Sequence, residues 1–131
     1  MRLLPLALIC AAVLAACGSD QAAAPAAGGL ADLVVRVDDD GAKGPDAARE
    51  LILKCATPAQ STACGAAAGV SDSDLAPTPA DQACTQLYGG PQTASITGSL
   101  RGEHVDARFA RTDGCEIARW EHVQPLLSEV R

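Results

Sequence analysis

Apolar and polar positions alternate with period two in four stretches of this chain. Residues 32–38, Asp-Leu-Val-Val-Arg-Val-Asp, are rich in β-branched side chains and predict a strand. In residues 49–55, Leu51, Leu53 and Cys55 share one parity, while Glu50, Ile52 and Lys54 share the other. That pattern predicts a second strand with one buried face. In residues 93–100, Ala94, Ile96 and Leu100 fall on one parity and the hydroxyls on the other. Val105, Ala107 and Phe109 then alternate with His104, Asp106 and Arg108. Arg101-Gly102 lies between these two runs and predicts the turn of a hairpin with one apolar face. His104 sits on the polar parity, the place of a solvated side chain rather than of a ligand.

Helical signals are fewer. Asp113 with Glu116 three residues later fits a helix start, and Ile117 and Trp120 follow on one face. Trp120 is the natural plug of a small core. Pro125 is expected to end that helix, leaving Leu126 and Leu127 as an edge strand or a tail contact. Residues 64–70 can make two helical turns, although two glycines weaken them. Ser71-Asp72-Ser73-Asp74 reads as a solvated cap or turn. Asp39-Asp40-Gly41 and Gly44-Pro45 mark a turn region. Ala76-Pro77-Thr78-Pro79 must be extended, a stiff arm leading towards Cys84. Four strands and two short helices, mostly antiparallel, make an α+β fold without internal repeats.

One stretch belongs to neither period: Cys84-Thr85-Gln86-Leu87-Tyr88-Gly89-Gly90-Pro91. None of its side chains serves as acid, base or nucleophile. Leu87 and Tyr88 are large and apolar, yet they lie between a cysteine and a Gly-Gly-Pro turn. Such a loop reads as presented to a partner; the alternative is an ordinary loop whose Tyr88 folds back on the core.

The N-terminus changes the picture of where the domain begins. Met1-Arg2 is followed by an apolar run over residues 3–14, too short to span a bilayer but long enough for a secretion signal. The run ends in Leu14-Ala15-Ala16-Cys17 and resembles a bacterial lipobox, in which Cys17 is acylated and becomes the new N-terminus. Two or more acyl chains hold a protein stably on a membrane. The expected organisation is a lipoprotein signal peptide over residues 1–16, a flexible tether over 17–30 and one domain over 31–131. The protein is thereby expected to be exported, at the outer face of the membrane or outside the cell. Removing the signal leaves 9 basic against 16 acidic residues, which argues against nucleic acid or anionic lipid surfaces as partners.

Setting Cys10 and Cys17 aside leaves Cys55, Cys64, Cys84 and Cys115, an even number that reads as two disulfides in an exported chain. Three pairings are open, with Cys55–Cys64 and Cys84–Cys115 favoured. Staples matter because the domain has only three aromatics, Tyr88, Phe109 and Trp120. There is no C-x-x-C pair, and His104 and His122 stand far apart, so no metal site or cofactor is expected. Two histidines with no serine-histidine-acid spacing also speak against an enzyme.

The residues of the loop, with Gly98, Gly102, Val105, Phe109 and Arg111, and with Gly114-Cys115-Glu116-Ile117 and Arg119-Trp120, resemble the subtilisin inhibitor-like family. The resemblance covers roughly residues 33–127. It is strong from Cys84 to Trp120 and weak over residues 57–83, where this chain is shortened. It implies a five-stranded antiparallel sheet with two helices, the disulfides Cys55–Cys64 and Cys84–Cys115, and usually a homodimer. It further implies a reversible, substrate-like inhibitor of serine proteases of subtilisin type. The scissile bond would be Gln86–Leu87, with Gln86 in the primary specificity pocket. Cys84 and Thr85 would lie on the acyl side, and Tyr88 and Gly89 on the leaving-group side. Gln86 stands where members often carry Lys, Arg or Met, and Asp113 where they tend to carry Asn. The alternative expectation is a lipid-anchored envelope domain of the same fold that binds another protein without inhibiting it.

Overall fold

The computed structural model describes residues 28–41 and 48–131. The expected signal peptide, Cys17, most of the tether and the Gly44-Pro45 turn lie outside the described residues. Strands β1 (Ala31–Asp38), β2 (Ala48–Cys55), β3 (Thr93–Leu100) and β4 (Glu103–Phe109) form one antiparallel sheet in the order β2-β1-β3-β4. Helices α1 (Thr62–Gly69), α2 (Asp72–Leu75) and α3 (Gly114–Leu127) complete an α+β fold.

The register puts one parity of every strand on one face. Leu33 lies opposite Leu53 and Gly98, and Gly98 lies opposite Val105. Val35, Ile96 and Ala107 form the next row, and Val37, Ala94 and Phe109 the row after it. Gly98 apart, these residues are buried with Trp120, Val123, Leu126 and Leu127 of α3 in a single core. The other face carries Asp32, Arg36, Glu50, Lys54, Asp106 and Arg108. There Lys54 pairs with Asp32 at 2.6 Å and Arg36 with Glu50 at 2.5 Å. Such exposed pairs contribute about 0–1 kcal/mol each, so the apolar face carries the sheet. Gly98 is obligatory in its row. Its φ is +127°, and a Cβ there would overlap the carbonyl oxygen of Asp32 on β1. The β3–β4 turn falls at Arg101-Gly102 as expected, both residues having positive φ.

Both disulfides join the favoured partners: Cys55 to Cys64 and Cys84 to Cys115, with Cα separations of 5.7 and 5.4 Å. Three expectations are corrected. The described residues hold four strands rather than the five that the family resemblance implies. Between β2 and β3 the chain makes helices and an extended arm, and Pro77 and Pro79 have no N–H to give a ladder. The described residues also hold three α-helices rather than two. Ser71 and Asp74 form a reciprocal capping box, which turns the expected cap into the one-turn α2. Finally, α3 does not stop before Pro125. It runs through it to Leu127, so Leu126 and Leu127 are helical core residues rather than an edge strand. Pro125 lies on the exposed side of α3, where water can satisfy the carbonyl that its missing N–H leaves free. A proline inside a helix costs about 3 kcal/mol, whereas burying two leucines contributes about 3–6 kcal/mol.

Candidate functional site

The loop over residues 84–91 has no regular structure and crosses the start of α3. That start is well determined. Asp113 is the N-cap, its Oδ1 accepting from the N–H groups of Cys115 and Glu116 at 2.9 and 3.0 Å. The expected capping-box partner, Glu116, turns elsewhere. Its Oε1 accepts from the Thr78 hydroxyl at 2.7 Å, and its Oε2 pairs with Arg119 at 2.8 Å.

Two backbone hydrogen bonds fix the loop to residues 111–114. Gly114 N–H donates to the Thr85 carbonyl at 3.0 Å, and Gly89 N–H donates to the Arg111 carbonyl at 2.7 Å. The Cys84–Cys115 bridge adds a covalent tie one residue before the first of these bonds. Between the two anchors lie only Gln86, Leu87 and Tyr88, and all three are exposed. Leu87 is 60% and Tyr88 69% accessible; with Ile52 they are the exposed large hydrophobics among the described residues. Tyr88 therefore does not fold back on the core.

The approach of the loop to α3 is close on both sides of this exposed bridge. A Cβ on Gly114 would collide with the hydroxyl of Thr85. One on Gly89 would lie 3.0 Å from the Ile117 side chain and 3.1 Å from Arg111 Cβ. Just past the loop, Arg111 Nη1 donates to Gln92 Oε1 at 3.3 Å. The residues singled out in the sequence, Cys84, Thr85, Gln86, Leu87, Tyr88, Gly89 and Cys115, thus belong to one continuous feature. The sequence singles out Arg111, Gly114 and Glu116, but not their contacts: Gly114 and the Arg111 carbonyl hold the loop, and Glu116 holds Thr78 in the segment before it. These contacts join residues distant in sequence, and no periodicity marks them.

Cys84, Asp113 and Cys115 offer ligand atoms within 4.8 Å of one another. Both sulfurs are consumed in the disulfide and the carboxylate caps α3, so the cluster serves as the root of the loop. His104 is exposed on β4, and His122 Nδ1 lies 2.9 Å from Asp74 Oδ1, well apart from the loop in sequence. No family model, curated protein or solved structure matches the chain.

Proposed function

We propose that the protein is a reversible, substrate-like inhibitor of extracellular serine proteases of subtilisin type, with Gln86–Leu87 as its reactive bond. The observation that carries this reading is the exposed tripeptide Gln86-Leu87-Tyr88, suspended between anchors at Thr85 and Gly89. A protease grips an extended, accessible backbone. A loop already held in one shape loses little entropy on binding.

The anchors lie on both sides of the reactive bond. After cleavage, the new carboxyl at Gln86 would stay within one residue of the Thr85–Gly114 bond and within two of the disulfide. The new amine at Leu87 would stay within two residues of the Gly89–Arg111 bond. Both ends remain facing one another at high effective concentration, so resealing outruns attack by water. Gln86 brings an uncharged side chain to the primary pocket, which suits a broad subtilisin-like pocket better than one built around a buried carboxylate. The disulfides fit an oxidising compartment. The Cys17 motif supports anchoring of this inhibitor, through lipid, at the outer face of the cell.

Titration against a panel of serine proteases tests the reading. Stoichiometric inhibition of a subtilisin and weak inhibition of trypsin are expected. Gln86→Lys gives trypsin a cation for its pocket, a charge-assisted pair worth about 1.5–3 kcal/mol, or roughly one to two powers of ten in affinity. Slow digestion without inhibition, or a Gln86→Lys variant that leaves trypsin untouched while folded, would overturn the proposal.

A further inference from the structure

The loop reaches its anchors along an arm, residues 76–83, that has no regular structure apart from a turn at residues 80–81. Within Ala76-Pro77-Thr78-Pro79-Ala80 every residue is exposed except Thr78. Its hydroxyl donates to Glu116 Oε1 at 2.7 Å, a contact spanning 38 residues of sequence. Glu116 is itself fixed. Its other oxygen pairs with Arg119 Nη1 at 2.8 Å, the two side chains being 19% and 14% accessible. The Arg119 guanidinium lies over the Phe109 ring, 4.9 Å from its centre, at the end of β4. Carboxylate, guanidinium and ring thus form a largely dehydrated bracket between the start of α3 and the sheet. Charge-assisted hydrogen bonds in such surroundings are stronger than exposed ones.

We propose that Glu116 is a positioning residue for the reactive loop: held by Arg119 over Phe109, its carboxylate anchors Thr78 and so pins the arm that feeds the loop. This role rests on the inhibitor reading above. The chain from the end of α2 through the arm to the loop then meets α3 at successive points. Asp74 reaches His122, Thr78 reaches Glu116, Cys84 is bonded to Cys115, and Thr85 accepts from Gly114. Moving down the arm, the contacts climb α3 back to its first residue. The helix is a splint for the acyl side of the loop. Pro77 stiffens the chain between the first two contacts, and Pro79 between the second contact and the disulfide. Without the Thr78 contact, the stretch between Leu75, which packs against the core, and Gln82, whose Nε2 donates to Cys115 Sγ at 3.7 Å, would lose its side-chain hydrogen bond to α3.

Thr78→Val removes the hydroxyl while nearly keeping the shape, and Thr78→Ser restores a donor. With a subtilisin as probe, inhibition constant, rate of Gln86–Leu87 cleavage in the complex and melting temperature are measured together. Thr78→Val should weaken inhibition about tenfold and hasten cleavage by a similar factor, as expected for losing a hydrogen bond to a charged group. Thr78→Ser should restore both. Glu116→Gln keeps an acceptor for Thr78 and should be milder than Glu116→Ala. A Thr78→Val variant that inhibits and resists cleavage like the wild type would overturn the proposal. So would one that only melts earlier. A wild-type protein that inhibits no protease would remove the inhibitor reading and this role with it, an outcome separable from the others by the wild type alone.

Discussion

The hydroxyl of Thr85 occupies the space in which a side chain on residue 114 would begin. The same pair shares a backbone hydrogen bond of 3.0 Å, so the absence of a Cβ on Gly114 and the seating of the loop are one arrangement.

Gly114→Ala therefore has a sign that distinguishes two physical effects. At the first residue of a helix, alanine would be favoured over glycine by up to about 1 kcal/mol if nothing stood in its way. Overlap with Thr85 instead predicts destabilisation of about 1–3 kcal/mol and a displaced loop. The double variant Gly114→Ala with Thr85→Ala should recover much of the loss, because the colliding oxygen is gone. Urea unfolding of the four proteins in this cycle measures the coupling.

The two disulfides should have separable effects. Replacing both Cys84 and Cys115 by serine frees the root of the loop. Stability should fall by about 2–4 kcal/mol, and protease should cut rapidly at Gln86–Leu87. Replacing Cys55 and Cys64 should cost a comparable amount of stability. The loop should nevertheless stay resistant, since that bridge joins β2 to α1. Mass spectrometry of timed digests beside thermal melts reads both effects.

Asp74 makes stability depend on acid. The Ser71 hydroxyl and then the Ser71 N–H hold its carboxyl below the usual aspartate range. The His122 ring contributes further, while burial opposes the shift. A lowered folded-state pKa stabilises the protein above the unfolded-state value, near 3.9, and that stability is lost as pH falls towards the folded value. Wild type should therefore lose stability as pH drops from about 5 through 4 and below. Asp74→Asn should be less stable at neutral pH and show a shallower loss across that window. Denaturant midpoints at a series of pH values check the slope.

Cys17→Ser tests the expected anchor. The wild type should partition with membranes and carry the mass of an acylated cysteine. The variant should appear in the medium or retain residues 1–16. Equal fractionation and unmodified mass would remove lipidation from the account.

Much of this fold is written locally. The strict alternation of Leu51, Leu53 and Cys55, and of Val105, Ala107 and Phe109, places those strands because one face must leave water. Asp113 marks the start of α3 because a short acceptor meets free N–H groups there. The presented loop is legible for a complementary reason: it holds large apolar residues with no period to bury them. What local patterns miss is set by competition or by distance. Pro125 looks like a terminus, but its local cost is smaller than the gain from burying Leu126 and Leu127 beyond it. Thr78 looks like filler between prolines, because its partner Glu116 is 38 residues away.

The register of β1 also decides how the molecule would carry a load. Ala31 at one end of the strand faces Leu100, and Asp38 at the other faces Thr93, immediately after the loop. The chain thus enters the sheet at the end opposite the loop, with the eight residues of β1 between them, about 25 Å. A protease pulling on the loop while residue 28 is held would slide β1 and β3 past one another lengthwise. Under that geometry the ladder resists as a whole, each bond sharing the tension, instead of parting one bond at a time like a zip drawn from its end.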